Sequence, residues 1–151
     1  MKAVVTRVKS ASVSIEGKVE GAIGHGYLVL LGVGPEDTEA EAGYLAEKIV
    51  HLRVFEDEQG KMNLNLEQVG GQILVVSQFT LYADLSSRRP GFSHAAPPSL
   101  AKPLYNCFME QLKSKGFAPQ HGIFGADMQV ESINDGPVTL IFDTDEMRKK
   151  K

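Results

Sequence analysis

The 151-residue chain carries 16 Lys and Arg against 19 Asp and Glu, a formal net charge of −3, and 42% of its residues are hydrophobic. This composition is typical of one globular domain and excludes a disordered or fibrous protein, because a chain of this length buries enough surface for one core. The acidic balance excludes a broad electrostatic attraction to nucleic acid. A single cysteine, Cys107, excludes an internal disulfide, and the scattered histidines argue against a metal site.

The longest apolar run, residues 27–33, is far shorter than a membrane span, and the first residues lack the apolar core of a signal peptide. We therefore expect a cytoplasmic protein with no membrane contact.

The first 34 residues predict strands. From Ala3 to Ile23 polar and apolar residues alternate, with a turn expected at Gly17-Lys18, which indicates two or three antiparallel strands. Residues 26–34 form a continuous apolar run bounded by glycines, which indicates a central strand covered on both faces.

Two helices are predicted. Thr38 and Glu41 have the spacing of a capping box, and the apolar residues that follow predict a helix over residues 39–52. Ser99 is the expected cap of the second helix, which Gly116 ends. The apolar face of that helix contains Leu100, Leu104, Cys107, Phe108 and Leu112.

Three further strands are predicted around a long loop. Gln72 to Leu81 reads as a second buried strand that turns polar at its end, and a loop with three prolines covers residues 84–98. The segments 128–133 and 138–142 predict two closing strands, separated by a turn at residues 134–137.

The order of these elements, β-β-β-α-β-α-β-β, predicts an α/β or α+β fold in which two main helices cover a sheet. We expect a single domain over residues 1–146, followed by a basic and solvated C-terminal tail over residues 147–151.

Two segments have residue types that suit chemistry. Ser77-Gln78-Phe79-Thr80 places three hydrogen-bonding side chains at the end of a buried strand, where sites commonly lie, although these side chains could equally satisfy local backbone groups. Gly136-Pro137 permits close backbone approach or a cis peptide bond, but residue statistics alone favour a trans turn. Gly32-x-Gly34 lacks the third glycine of a dinucleotide-binding loop.

Together these segments resemble the D-aminoacyl-tRNA deacylase family over nearly the whole chain. The most specific matches are Ser-Gln-Phe-Thr at residues 77–80 and Asn-Asp-Gly-Pro-Val-Thr at residues 134–139. The resemblance implies a homodimer of mixed and antiparallel strands in a β/β/α layered arrangement, with no metal and no cofactor. It also implies hydrolysis of the ester that joins a D-amino acid, or glycine mischarged on tRNA(Ala), to the 3′ end of tRNA.

The resemblance also assigns roles to individual residues. Ser77, Gln78, Phe79 and Thr80 would line the pocket for the aminoacyl-adenosine end. Gly136-Pro137 would be a cis dipeptide that one subunit inserts into the pocket of its partner, where its carbonyls exclude an L side chain. Arg7 and Met128 would support the site, although Arg7 also fits a surface position on the first strand.

Two chemical steps are compatible with the resemblance. The Thr80 hydroxyl could attack the ester, or the 2′-hydroxyl of the tRNA ribose could assist while the backbone N–H of Phe79 polarises the carbonyl. We favour the second, because the sequence near Thr80 supplies no base.

Two other functions remain open: a related deacylase with a trans clamp that removes L-alanine, and a non-catalytic module that binds tRNA ends or the ribosome. The residues that flank Gly136-Pro137 favour the D-specific form, and a binding module would need a broader basic face. The chain departs from the family at residues 86–92, Ser-Ser-Arg-Arg-Pro-Gly-Phe, where relatives usually carry Lys-Gly-x-Arg-Pro-Ser-Phe. The contacts of this loop with tRNA are therefore not implied.

Overall fold

A computed structural model describes residues 1–149 and has a mixed α/β fold with a strand-rich sheet and three α-helices. The elements follow in the order β1 (Lys2–Ile15), β2 (Lys18–Ile23), β3 (Gly26–Gly32), α1 (Glu39–Val50), β4 (Phe55–Glu56), β5 (Met62–Leu64), β6 (Gln72–Ser77), α2 (Pro98–Ser114), β7 (Gln120–His121), β8 (Gln129–Asp143) and α3 (Thr144–Lys149). No helix within these residues is long and apolar enough to cross a membrane.

The long strand β1 organises the main sheet. It pairs antiparallel with β2 and β3 on one edge and with β8 on the other, which confirms the antiparallel strands predicted before residue 24. Strand β3 then pairs parallel with β6, and β6 with β7, so the sheet is mixed. The short strands β4 and β5 form a separate hairpin.

The prediction of two separate closing strands is wrong, because β8 runs without a break through the expected turn. Its pairing with β1 jumps from Thr6 opposite Thr139 to Val8 opposite Asn134, so residues 135–138 form a bulge. The peptide bond between Gly136 and Pro137 in this bulge is cis, as the family resemblance implied and residue statistics alone did not.

The central strands β3 and β6 are buried on both faces, as their continuous apolar runs predict. Strand β6 nevertheless ends at Ser77 and not at Leu81, because the chain turns into a short 3-10 helix over Phe79–Tyr82. This turn crosses close above Gly32, where an added Cβ would lie 3.0 Å from the Gln78 carbonyl oxygen. Because Gly32 has no side chain, the backbone at Gln78 has room to turn out of β6 at this point.

The first predicted helix is confirmed, and its capping box is formed. The Thr38 hydroxyl accepts from the Ala40 N–H at 3.2 Å, and the Glu41 carboxylate accepts from the Thr38 N–H at 2.7 Å. The cap predicted for the second helix is wrong, because α2 begins at Pro98 with no side-chain cap. A proline there needs no acceptor for a backbone N–H. Gly116 follows the end of α2 with φ +93°, as predicted.

The helix α3 was not predicted, since residues 147–151 were expected to be a solvated tail. Met147 packs against the core, and Arg148 forms an ion pair with Glu41 of α1. The expected boundary after residue 146 therefore falls inside a helix, and Lys150 and Lys151 lie outside the described residues.

Apolar side chains cover the sheet on both faces. Tyr27, Val29 and Leu31 of β3 point toward α1 and α2 in the larger cluster, and Leu28 points the other way into a smaller one. The alternation follows the two-residue period of a strand. The parallel pairing of β3 with β6, in which Leu31 lies opposite Ser77, places the carboxyl ends of the two strands side by side, and the candidate site begins there.

Candidate active site

A cavity of about 560 Å³ opens at the carboxyl ends of β3 and β6. Ends of neighbouring parallel strands meet at one edge of a sheet, and this is a common position for ligand sites. The cavity is bounded by the ends of β3 and β6, the start of the 3-10 helix, the loop that leads into α2, the first turns of α2 itself, and residues 124–130.

Ser77, Gln78 and Phe79, which the resemblance assigns to the substrate pocket, all line this cavity. Thr80 does not line it and is exposed. The Gln78 amide donates to the Thr80 hydroxyl, which has no other side-chain partner in residues 1–149. An amide is not a base, so the structure brings no activating group to Thr80.

The backbone of Phe79, which lines the cavity, and of the neighbouring Thr80, which does not, carries unused donors. Phe79 and Thr80 begin the 3-10 helix, where the first N–H groups lack an acceptor within the helix. Neither N–H forms a hydrogen bond with another group of the described chain. Two neighbouring donors of this kind can stabilise the negative oxygen that develops when an ester carbonyl is attacked.

Aromatic residues that the sequence analysis did not single out form much of the cavity. Phe92 lies edge-on to Phe79, with ring centroids 5.0 Å apart. Tyr105 of α2 donates from its hydroxyl to the Val75 carbonyl at 3.2 Å, and burial raises the pKa of Tyr105 to about 12. Tyr105 is therefore neutral near pH 7. Its ring packs against Phe124 at a centroid distance of 5.8 Å. The position of Phe92 in a long proline-containing loop could have marked it as a candidate site residue, because long loops in compact domains are often functional.

Met128 also lines the cavity. Its position depends on Gly122, because a Cβ added there would lie 2.5 Å from the Met128 sulfur. The thioether therefore occupies space that any other residue at position 122 would fill.

Gly136 and Pro137 are exposed and do not line the cavity. Arg7 anchors the bulge that carries them. Arg7 is only 5% exposed, so the reading of it as a surface residue is wrong. Its Nε donates to the Asp135 carbonyl at 2.9 Å, and its Nη1 donates to the Val54 carbonyl at 2.6 Å.

Asn134 holds the other side of the bulge. Its side-chain oxygen accepts from the Val138 N–H at 2.8 Å, and its amide nitrogen donates to the Thr139 hydroxyl at 2.8 Å. Gly136 has φ +136°, and an added Cβ would lie 2.8 Å from a Val138 methyl group. The bulge thus presents backbone without a side chain at Gly136, which is exposed.

Within residues 1–149, no group of three or more His, Cys, Asp or Glu side chains could hold a metal ion.

Comparison with known proteins agrees with this geometry. The family model described as D-Tyr-tRNA(Tyr) deacylase matches residues 4–143. The D-aminoacyl-tRNA deacylase of Lacticaseibacillus casei is 58% identical over 146 residues, covering 96% of this chain and 99% of that protein. The D-aminoacyl-tRNA deacylase of Thermus aquaticus is 56% identical over 147 residues, covering 97% of each chain.

Two solved structures are also similar. The structure of a protein named c-Myc DNA unwinding element binding protein has a TM-score of 0.88 and 47% identity, covering 95% of this chain and 98% of that one. A probable eukaryotic D-amino acid tRNA deacylase has a TM-score of 0.78 at 16% identity, covering 93% of this chain and 97% of that one, a likeness of fold alone.

These relatives place the chain in the class of hydrolases that act on the ester of an aminoacyl-tRNA. Within that class, it belongs to the D-Tyr-tRNA(Tyr) deacylase family.

Proposed function

We propose that this protein removes D-amino acids from tRNA in the cytoplasm, releasing the free amino acid and tRNA, and that it does so as a homodimer with the active site at the subunit interface. The observation that carries the proposal is the cavity at the ends of β3 and β6, which is lined by Phe79, a residue whose backbone N–H is an unused donor. Family membership supplies the substrate class.

The aminoacyl-adenosine end of tRNA enters the cavity, where Ser77 and Gln78 contact it and Phe79 forms one wall. The N–H of Phe79 donates to the ester carbonyl oxygen and stabilises the charge that develops there. Water adds to the carbonyl carbon, the bond to the ribose 3′-oxygen breaks, and that oxygen takes up a proton. The neighbouring 2′-hydroxyl of the ribose assists this step in place of Thr80, because the Thr80 hydroxyl is hydrogen-bonded to no base among residues 1–149.

Selectivity comes from Gly136-Pro137 of the other subunit. The dipeptide is exposed and lies outside its own cavity, so it can meet a substrate only in another molecule. Its carbonyls would occupy the space that an L side chain needs, whereas a D side chain points away. Arg7 keeps the bulge in place, and Met128 supports the cavity wall.

A groove next to the cavity supports the homodimer. It is lined by β8 together with β1 and β2, and Val130 belongs to both the groove and the cavity. The exposed apolar side chains Val130 and Ile133 lie along it, with 39% and 57% of their surface accessible. A second copy bound there would lie beside the mouth of the cavity.

The same filter extends the activity to glycine carried by tRNA(Ala). A steric clamp rejects by clashing with a side chain, and glycine has none, so glycyl-tRNA passes. The cis Gly136-Pro137 bond favours the D-specific form over the deacylase with a trans clamp.

The test is hydrolysis of matched D-tyrosyl-tRNA and L-tyrosyl-tRNA by the purified protein in the presence of a chelator. We expect loss of the D ester alone. If neither ester is lost while tRNA binds, the non-catalytic binding module is favoured. Light scattering of the same sample should give the mass of a dimer, and a monomer that retained chiral selectivity would contradict the cross-subunit clamp.

A further inference from the structure

The loop between Asp84 and Gly91 carries a pair of adjacent arginines, Arg88 and Arg89, that the site described above does not use. Both are exposed, in a chain with a net charge of −3. Neither has a carboxylate within 4.0 Å among residues 1–149, in contrast to Arg7 and Arg148. Two guanidinium groups are therefore available to an anion from outside the chain.

This loop is closed at its base by backbone hydrogen bonds. The Asp84 N–H donates to the Gly91 carbonyl at 2.7 Å, and the Gly91 N–H donates to the Asp84 carbonyl at 3.0 Å. Two more contacts hold the tip, from the Ser86 N–H to the Asp84 carboxylate and from the Ser87 hydroxyl to the Arg89 carbonyl. The Asp84 carboxylate is thus engaged by the loop itself and is not paired with the arginines.

The base of the loop adjoins the cavity. Phe92 follows Gly91 directly, lines the cavity and packs against Phe79. Because three residues span at most about 11 Å, the backbone of Arg89 lies within that distance of Phe92. Arginine side chains add several ångströms of reach, so the two guanidinium groups can reach the mouth through which a chain attached to the bound adenosine must leave.

We propose that Arg88 and Arg89 bind phosphates of the single-stranded 3′ end of tRNA and so position the ester in the cavity. The inference rests on the proposed function, which places the terminal adenosine there and leaves its phosphates at the mouth. Guanidinium groups suit this task, because their planar donors match phosphate oxygens. An acidic protein also needs local contacts of this kind, since it has no global field that attracts RNA.

The test compares two substrates and two variants. D-tyrosyl-tRNA carries the phosphates, and D-tyrosyl-adenosine carries the same ester without them. The variant R88Q/R89Q removes the arginine pair, and K61Q/K113Q removes the same charge from two exposed positions that do not line the cavity.

For R88Q/R89Q we expect kcat/KM on D-tyrosyl-tRNA to fall about 10-fold at 0.15 M salt, through KM and not kcat, since two single-strand phosphate contacts are lost. The slope of log(kcat/KM) against log[salt] should become shallower by about 1.4. The loss should be confined to the substrate that carries phosphates and should be absent for K61Q/K113Q.

Equal losses on both substrates would overturn the inference, because the loop would then shape the cavity and not bind phosphate. Equal losses in both variants would also overturn it, because net charge alone would account for the effect. If the wild type hydrolyses neither substrate, the proposed function fails. The inference is then tested by measuring the affinity for a single-stranded RNA 3′ end that carries no amino acid. R88Q/R89Q should then bind this RNA about 10-fold more weakly than K61Q/K113Q, and equal affinities would refute the phosphate contact.

Discussion

Replacement of Arg7 by methionine tests how the bulge of β8 is held. Methionine keeps much of the aliphatic volume but removes the charge and both donors. The change leaves two carbonyl oxygens, those of Val54 and Asp135, without the hydrogen bonds of 2.6 and 2.9 Å that Arg7 supplies.

The size of the effect follows from burial. Hydrogen bonds from a charged group contribute about 1.5–3 kcal/mol each, and Arg7 is too buried for water to replace them freely. The carboxylates of Glu56 and Asp135 lie farther away, at 3.9 and 3.8 Å, and Glu56 is exposed, so these ion pairs add little. We expect Arg7→Met to lower the free energy of unfolding by about 3–5 kcal/mol.

Urea unfolding followed by circular dichroism measures this loss, with all proteins at one concentration because the measured stability of a self-associating protein depends on its concentration. The control is Arg7→Lys, which keeps the charge but has no planar fork for two carbonyls and should lose less. In variants that still fold, the ratio of D-tyrosyl-tRNA to L-tyrosyl-tRNA hydrolysis should fall as the bulge loosens. A methionine variant as stable and as selective as the wild type would refute the reasoning.

Three further outcomes are expected. Thr38→Ala removes the cap of α1 and should cost about 1 kcal/mol, seen as a Tm lower by about 2–4 °C; an unchanged Tm would count against the cap. Thr80→Val should keep most of its D-tyrosyl-tRNA hydrolysis, and abolished hydrolysis in a folded protein that binds substrate would instead support attack by Thr80. Hydrogen bonds from Ser86, helped by His94, lower the pKa of Asp84, so its support of the arginine loop is present above about pH 4 and is lost as the pH falls through the lowered value. Hydrogen exchange at the Ser86 amide should therefore show a low-pH loss of protection that Asp84→Asn lacks.

Sequence predicts best what short segments determine alone. The capping box of Thr38 and Glu41 sets where α1 begins, because both partners lie within one turn. The unbroken apolar run of β3 likewise predicts burial on both faces, because the pattern lies within one short segment.

The sequence patterns did not predict features that depend on contacts between residues far apart in the chain. Residues 134–137 look like a turn in isolation, and only their pairing with β1 makes them a bulge within one strand. Arg7 looks like a surface residue until the carbonyls of Val54 and Asp135 surround its guanidinium.

The candidate site also contains residues that the sequence could identify and residues that it could not. The stretch from Ser77 to Phe79 could be recognised because the family resemblance includes it, and it does line the cavity. Tyr105 and Phe124 come from separate segments and meet only through packing, so no local pattern marks them as neighbours. That Gly136-Pro137 lies outside its own cavity is likewise a property of the folded chain.

The pairing of β1 with β8 also has a consequence for biosynthesis. Lys2 pairs with Asp143, so β1 leaves the ribosome well before the part of β8 that completes its pairing. At about 5–20 residues per second, the nascent chain spends roughly 7–30 s with one edge of β1 unsatisfied. An unpaired edge is a template for association with other strands. Chaperone dependence during translation should therefore fall sharply once residue 143 has emerged.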